Sequence, residues 1–460
     1  MQSEVNRREF IRNSAIAGIG MAVLPSALSA TGMKTKVRLG LIAVGRRGQV
    51  HVAELLNRTD VEIVAMADPD TQMMAKTRAL ISAAGKKLPA EYAKGNDDYR
   101  NLLKRDDVDA VLISSPWELH FEHCVESMRA GKPVGLEVGG GLTLQECRDY
   151  VQAYEQTRVP VMILENACYR RDLMAITNMV RKGLFGELLH LQGGYQHDMR
   201  ARKFNNGTVP DTPGIEFGPG TPSTPGWRTQ HSVNRNGDLY PTHSLGPLAV
   251  MLDINRGNRI TALSSVATKS RGLHRYIMNN IPAGQKHRNA DVQFKLGDIV
   301  TTTLQTANGE TIVLTHDTSS PRPYNLGFRV QGTAGLWQES GGGEFADGLL
   351  YLEGASPAKK WESPSPHLQA NDHSLWKVFG RQAESAGHGG MDFFILHAFI
   401  ECIKQGKDFP LDVYDLATWH AITPLSETSI AQGGQLQLVP DFTNGAWQRR
   451  KPVFGLNSEY

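Results

Sequence analysis

The stretch from Val37 to Asp68 limits the fold more than any other part of the chain. It predicts a strand over Val37–Val44, a turn at Gly45-Arg46-Arg47-Gly48, a helix over His51–Asn57 and a second strand over Val61–Asp68. Gly45 and Gly48 take the second and third positions of a G-x-G-x-x-G turn, with Ala43 at the first. At the second position a glycine lets backbone approach a pyrophosphate, and at the third it lets the helix press on the strand. Asp68 stands 20 residues beyond Gly48, at the end of the second strand. A carboxylate there holds the adenosine ribose hydroxyls and disfavours a 2′-phosphate. The unit therefore predicts a site for NAD rather than NADP, with Arg46 and Arg47 adding charge near the phosphates. The competing role for Asp68 is to cap the following helix.

The alternation continues through Ala110–Ser114, Val134–Glu137 and Val159–Leu164 as strands, with helices over Thr71–Ala84, Phe121–Ala130 and Leu144–Gln156. Repeated units of this kind predict an α/β fold, a doubly wound parallel sheet forming a Rossmann domain over residues 34–166. Beyond Ala167 the strands lengthen: Leu188–Gly194, Ile260–Ala267, Ile299–Thr306, Thr311–Asp317 and Leu326–Gly332. They predict a C-terminal α+β domain over residues 167–425 with a large, mainly antiparallel sheet. A face of so broad a sheet must be covered, often by another subunit, which leaves the oligomeric state open with a homo-oligomer as one answer. Gly207–Trp227 is dense in Pro and Gly, and loops of that length are usually functional or disordered. Helices over Asp392–Gln405 and Val413–Gln432 precede a tail, residues 426–460, expected to pack back on the body.

The N-terminus points outside the cytoplasm. Arg7-Arg8 before Glu9-Phe10-Ile11 matches a twin-arginine pattern, Ala15–Leu24 supplies a short apolar run, and Ala27-Leu28-Ser29-Ala30 offers small residues for cleavage. Residues 1–31 thus read as an export signal to the periplasm or beyond. The apolar run falls short of the roughly 20 residues a membrane span needs, so no stable membrane insertion is expected. The formal charge of +2, from 49 basic and 47 acidic residues, leaves no basic footprint for nucleic acid. Cys124, Cys147, Cys168 and Cys402 form no C-x-x-C pair, and the histidines show no H-E-x-x-H spacing; no metal is expected.

Gly45-Arg46-Arg47-Gly48, Asp68-Pro69-Asp70, Ser115-Pro116 with His120, Gly131-Lys132-Pro133 and Gln331-Gly332-Thr333-Ala334-Gly335 resemble the sugar oxidoreductases typified by glucose–fructose oxidoreductase and inositol dehydrogenase. Two departures stand out. Those enzymes carry Glu-Lys-Pro after the fourth core strand, where this chain has Glu137-Val138-Gly139. They also carry an Asp four residues before a catalytic His, where Leu239 precedes His243. More particular words accompany the departures: Ser115–His120 (SPWELH), Glu165–Asp172 (ENACYRRD), Gly193–Arg200 (GGYQHDMR), Tyr240–Pro247 (YPTHSLGP), Arg322–Asn325 (RPYN), His388–Phe393 (HGGMDF) and Asp412–Trp419 (DVYDLATW). Together they resemble glycoside hydrolase family 109, the NAD-dependent α-N-acetylgalactosaminidases.

That resemblance implies a retaining exo-glycosidase that releases terminal α-linked N-acetylgalactosamine. Its route is oxidation of the sugar at C3, elimination across C1–C2, water addition and re-reduction, with NAD regenerated in each turnover. NAD-dependent glycosidases are recognised exceptions to the two-carboxylate rule. The resemblance makes Tyr195, Tyr240 and His243 catalytic candidates, with Arg228 and Tyr324 joining them on the substrate. Trp117, Glu118, Leu119, His120, Glu137, Val138 and Asn166 join Gly45, Arg46, Arg47, Gly48 and Asp68 as NAD contacts. The competing readings are structural: a helix cap for His243, a core-edge ring for Tyr195, a strand-end carboxylate for Glu137, a solvated Arg228 and a packed Tyr324. The alternative activity is an exported sugar oxidoreductase with trapped cofactor.

Overall fold

The computed structural model describes residues 34–340 and 347–460; the expected export signal lies outside them. Two sheets organise the chain. The first has the order β3-β2-β1-β4-β5-β6, from β1 (Val37–Ile42), β2 (Val61–Ala67), β3 (Ala90–Tyr92), β4 (Ala110–Ile113), β5 (Val134–Leu136) and β6 (Val161–Ile163). All five pairings are parallel. In β4, β5 and β6 every residue is buried, because helices cover both faces. The strand order reverses between β1 and β4, and a crevice opens there at the carboxyl ends of the strands.

The second sheet has the order β13-β12-β11-β7-β10-β9-β8-β14. Its strands are β7 (Leu188–Gln196), β8 (Ile260–Ala267), β9 (Ile299–Thr306), β10 (Thr311–Asp317), β11 (Arg329–Gly332), β12 (Gly335–Gln338), β13 (Leu349–Leu352) and β14 (Gln437–Leu438). Only β7 and β10 pair in parallel. The fold is thus the α/β architecture expected, a doubly wound sheet beside a mainly antiparallel one. Burial alternates along β9, where Val300, Thr302, Leu304 and Thr306 point inward and the intervening residues face out. That is the mark of a sheet with one solvated face.

Helices tie the two sheets together. The Val413–Ala431 helix opens on a capping box, Asp412 with Asp415, and packs on both β8 and the Leu144–Thr157 helix. The Met391–Gln405 helix packs on the Arg46–Leu56 helix that follows the glycine turn. Past Ala431 the chain returns to pair β14 with β8, buries Phe442 and Phe454, and sets Tyr460 against His397.

Local differences from the sequence reading have physical causes. The first strand stops at Ile42 because Ala43 turns left-handed, with φ 68°. Helices begin at Arg46 and Trp117 rather than at His51 and Phe121; at Arg46 the polar Arg-Arg-Gly-Gln turn hides the helical period. The short strands β3, β12, β13 and β14 and the Arg171–Arg181 helix add to the elements that the sequence predicts.

Candidate active site

The glycine turn is built as its residues require. A Cβ at residue 48 would lie 2.5 Å from the Ala43 carbonyl oxygen, so only glycine lets the helix start this close to β1. At Gly45 a Cβ would meet nothing within 4 Å, and the bare backbone faces the crevice. Asp68 accepts hydrogen bonds from the Val44 and Asp70 amides, both at 2.8 Å, one on each carboxylate oxygen. Lone pairs remain on both oxygens for a diol. Helix capping falls instead to Asp70, which accepts from the Gln72 and Met73 amides. Burial pushes the Asp68 carboxyl above its usual range, and the two amides work against that shift.

The two arginines of the turn part ways. Arg46 reaches outward and pairs with Asp211 in the Pro/Gly-rich loop, which Arg202 also contacts. Arg47 turns inward, with Nε 2.6 Å from Glu137 and its two terminal nitrogens 2.9 Å from the carboxylate of Asp392. Much of its charge is therefore spent on these carboxylates rather than on phosphate. Asp392 is wholly buried, and also accepts from Asn166 at 2.8 Å and meets His388 at 2.7 Å. Burial alone would raise the Glu137 carboxyl; Arg47 and His51 override it and hold it down to about 2. Asp392 is lowered further by His388 and Arg47 against the same opposing burial. Its role was not legible in sequence, because it lies 345 residues from Arg47 and no local spacing links them.

Beyond β4 the Trp117–Arg129 helix begins at the crevice. His120 places its ring nitrogens 2.9 Å from the Gly139 carbonyl and 2.8 Å from that of Ser115. Both nitrogens face backbone carbonyls, to one of which the neutral ring donates, so His120 holds the turn and offers a cofactor only ring surface. Gly139, Gly140 and Gly141 all have positive φ, and side chains there would strike Trp117, His120 and His420 respectively. Glycine thus stands in place of the proline of Glu-Lys-Pro because a side chain at 139 would strike Trp117. Glu118 points away, 3.0 Å from His231.

The three catalytic candidates meet at the other end of the crevice. Ring centroids lie 4.5 Å apart for Tyr195 and Tyr240, 4.9 Å for Tyr240 and His243, and 5.4 Å for Tyr195 and His243. Tyr195 sits near the end of β7, and His243 in the first turn of the Thr242–Met251 helix, which packs on β7. Gly193 permits that approach, since a Cβ there would lie 3.0 Å from the Ser244 carbonyl. The Tyr195 hydroxyl is 3.3 Å from Nδ1 of His197, and His197 in turn packs edge-on to the half-exposed Tyr324. The Arg228 guanidinium stands over Trp117 at 4.7 Å and Tyr240 at 5.1 Å. Among the described residues no carboxylate pairs with it, leaving a cation held by aromatic faces. Burial raises the Tyr195 and Tyr240 hydroxyls, Tyr240 strongly, and Arg228 opposes both shifts. Glu165, not singled out in the sequence, lies behind His243 with its oxygens 2.8 and 2.9 Å from Nδ1.

A single cleft of about 660 Å³ joins the two ends, running from Gly45 and Asp68 past Trp117, Val138 and Asn166 to Tyr195, Tyr240, Arg228 and His243. Glu118, Gly48 and Tyr324 lie off its lining. Bare glycine backbone, a carboxylate with free lone pairs at Asp68 and the aromatic edge of Trp117 beyond it fit NAD along this length. The residues that would hold it are Gly45, Asp68, Trp117 and Val138.

A family model described as an oxidoreductase family NAD-binding Rossmann fold matches residues 37–164, and one described as glycosyl hydrolase 109, C-terminal domain, matches residues 169–449. The chain belongs to glycosyl hydrolase family 109. A family 109 protein of Stenotrophomonas maltophilia is 48% identical over 460 residues, covering 99% of each chain. A Tannerella forsythia protein named alpha-N-acetylgalactosaminidase is 43% identical, covering 98% of this chain and 100% of its own. Among solved structures, levoglucosan dehydrogenase with NADH is similar at a TM-score of 0.62 and 18% identity, covering 88% of this chain and 99% of its own. Myo-inositol dehydrogenase of Lactobacillus casei with NAD(H) and myo-inositol is similar at 0.58 and 16%, with the same coverage. This family 109 member is a glycoside hydrolase with NAD as its cofactor, carried on a sugar-dehydrogenase fold.

Proposed function

We propose that the protein is a retaining exo-glycosidase that releases terminal α-linked N-acetylgalactosamine by oxidation at C3, elimination, hydration and re-reduction. The observation that carries this reading is what surrounds the substrate end of the cleft. Tyr195, Tyr240, His243 and Arg228 converge there, whereas the carboxylates lining the cleft, Asp68, Asp70 and Glu137, sit along the cofactor end. An ordinary glycosidase needs two carboxylates about 5 to 10 Å apart across the scissile bond. None of the described lining residues supplies that pair.

Bound NAD supplies a hydride acceptor and donor for C3. His243 takes the C3 hydroxyl proton, and Tyr195 takes the C2 proton that the new ketone acidifies, with the Arg228 charge easing phenolate formation. Tyr240, held as a neutral phenol by burial, protonates the departing oxygen at C1. Arg228 also grips the acetamide carbonyl, and the name of the Tannerella forsythia relative supports an N-acetylgalactosamine substrate. The alternative, a sugar oxidoreductase, lacks support because no lysine lines the cleft among the described residues. Lys203 is buried instead against Thr318 and Ser319. The twin-arginine segment makes periplasmic or extracellular work part of the proposal.

The test is a panel of p-nitrophenyl glycosides offered to purified protein without added NAD, then with excess. The α-N-acetylgalactosaminide should be cleaved in both, and denatured protein should release stoichiometric NAD. Full-rate hydrolysis by cofactor-free protein would defeat the redox route.

A further inference from the structure

The chain has no carboxylate four residues before His243, yet the imidazole is not without one. Glu165, the second residue past β6, reaches it across 78 residues of sequence, with Oε1 2.8 Å and Oε2 2.9 Å from Nδ1. The Glu165 side chain is wholly buried, while His243 keeps partial exposure to the cleft. Its rotamer is fixed from two sides. The Ala167 amide donates to Oε1 at 3.0 Å. A Cβ at Gly246 would lie 2.8 Å from Glu165 Cγ, 3.1 Å from Cys168 Sγ and 3.3 Å from Trp419, so glycine one turn along the His243 helix makes room for the carboxylate.

We propose that Glu165 is the positioning residue of His243, fixing its tautomer so that the lone pair of Nε2 faces the C3 hydroxyl. This rests on the oxidative reading above. A carboxylate accepts and cannot donate, so the proton of the neutral ring belongs on Nδ1. Nε2, which has no partner among the described residues, is then the basic nitrogen of this ring, on a residue that lines the cleft. When the ring takes a proton, the buried carboxylate stabilises the cation, as the third member of a hydrolytic triad does. Asn166, the next residue, faces the other way and holds Asp392 beneath the cofactor end. Two adjacent side chains therefore set the two ends of one cleft.

The experiment uses holoenzyme and p-nitrophenyl α-N-acetylgalactosaminide, unlabelled and deuterated at C3. Glu165→Gln keeps the shape but turns one oxygen facing Nδ1 into an amide donor, which favours the wrong tautomer. We expect kcat to fall at least about a hundredfold, with KM, NAD content and melting temperature unchanged. The isotope effect should rise, and reduction of bound NAD in a single turnover should slow by the same factor, because the C3 hydrogen leaves in concert with loss of the hydroxyl proton to His243, and that step now limits turnover. In a His243→Ala background, Glu165→Gln should cost nothing further. Wild-type rates in the variant, a lower kcat with an unchanged isotope effect, or full additivity with His243→Ala would each overturn the assignment. Wild-type protein whose bound NAD is never reduced during turnover would sink the oxidative reading itself, and this role with it.

Discussion

Arg47, Glu137 and Asp392 form a charged node under the cofactor end, and its sign predicts how the protein responds to acid. Glu137 is buried and held at about 2, below the ordinary 4.5, and Asp392 is shifted in the same direction. A carboxyl whose folded pKa is depressed stabilises the fold above its unfolded pKa, and that stabilisation is lost as pH falls through the folded value. For Glu137 the window runs from about 4.5 down to about 2, and the shift corresponds to roughly 3 kcal/mol. Urea unfolding of Glu137→Gln should therefore show a lower midpoint than wild type at pH 7, with the two converging toward pH 2. Parallel curves across that range would mean that Arg47 does not act on Glu137. Sequence showed only part of this node. Arg47 and Glu137 stand at recognisable places in a Rossmann pattern, and the glycines and Asp68 are legible because turn chemistry is local. Asp392 and Glu165 are not, since a buried ion pair between distant elements leaves no period or spacing to read.

Among the elements, those with a strong apolar run were legible and those set by their neighbours were not. β1, β2, β9 and β10 declare themselves by length and by β-branched or alternating residues. The two residues of β14 exist as a strand only because β8 offers an edge for them. The turn between β1 and its helix lies between these cases: its residues are local, but its tightness depends on contact with Ala43. Gly48→Ala tests that contact. The added methyl would meet backbone oxygen rather than a movable side chain, so the helix must shift off the strand. We expect a loss of about 1–3 kcal/mol and a protein purified with substoichiometric NAD. Gly45→Ala, whose methyl would enter open cleft, should fold as wild type and lose cofactor only. Equal destabilisation by both substitutions would show that the turn is not packed as described.

At the scale of the whole molecule, the two sheets set one continuous cleft between a nicotinamide site and a cluster of phenols and imidazole. On the proposed route, that arrangement would join redox chemistry to a reaction with no net redox change. A hydrolase that returns its hydride in every turnover needs no external cofactor pool, which suits a protein read as exported. The ketone that the proposed route requires would leave a record in the product. On the proposed route, oxidation at C3 would make the C2 hydrogen acidic, and it would pass to a protein group before water reaches C1, whereas the C3 hydrogen would be returned to C3. N-acetylgalactosamine released in deuterated water should then carry solvent deuterium at C2 and its original hydrogen at C3. Tyr195→Phe should remove the C2 label together with turnover while leaving bound NAD reducible, since C3 oxidation precedes the step it blocks. His243→Ala should suppress reduction of NAD first. Both substitutions remove groups from a wall of packed rings, so NAD content and melting temperature are measured alongside to separate chemistry from folding. Mass spectrometry of sugar from a single turnover decides the matter: product unlabelled at C2 means that C1 was displaced directly, whatever the substrate.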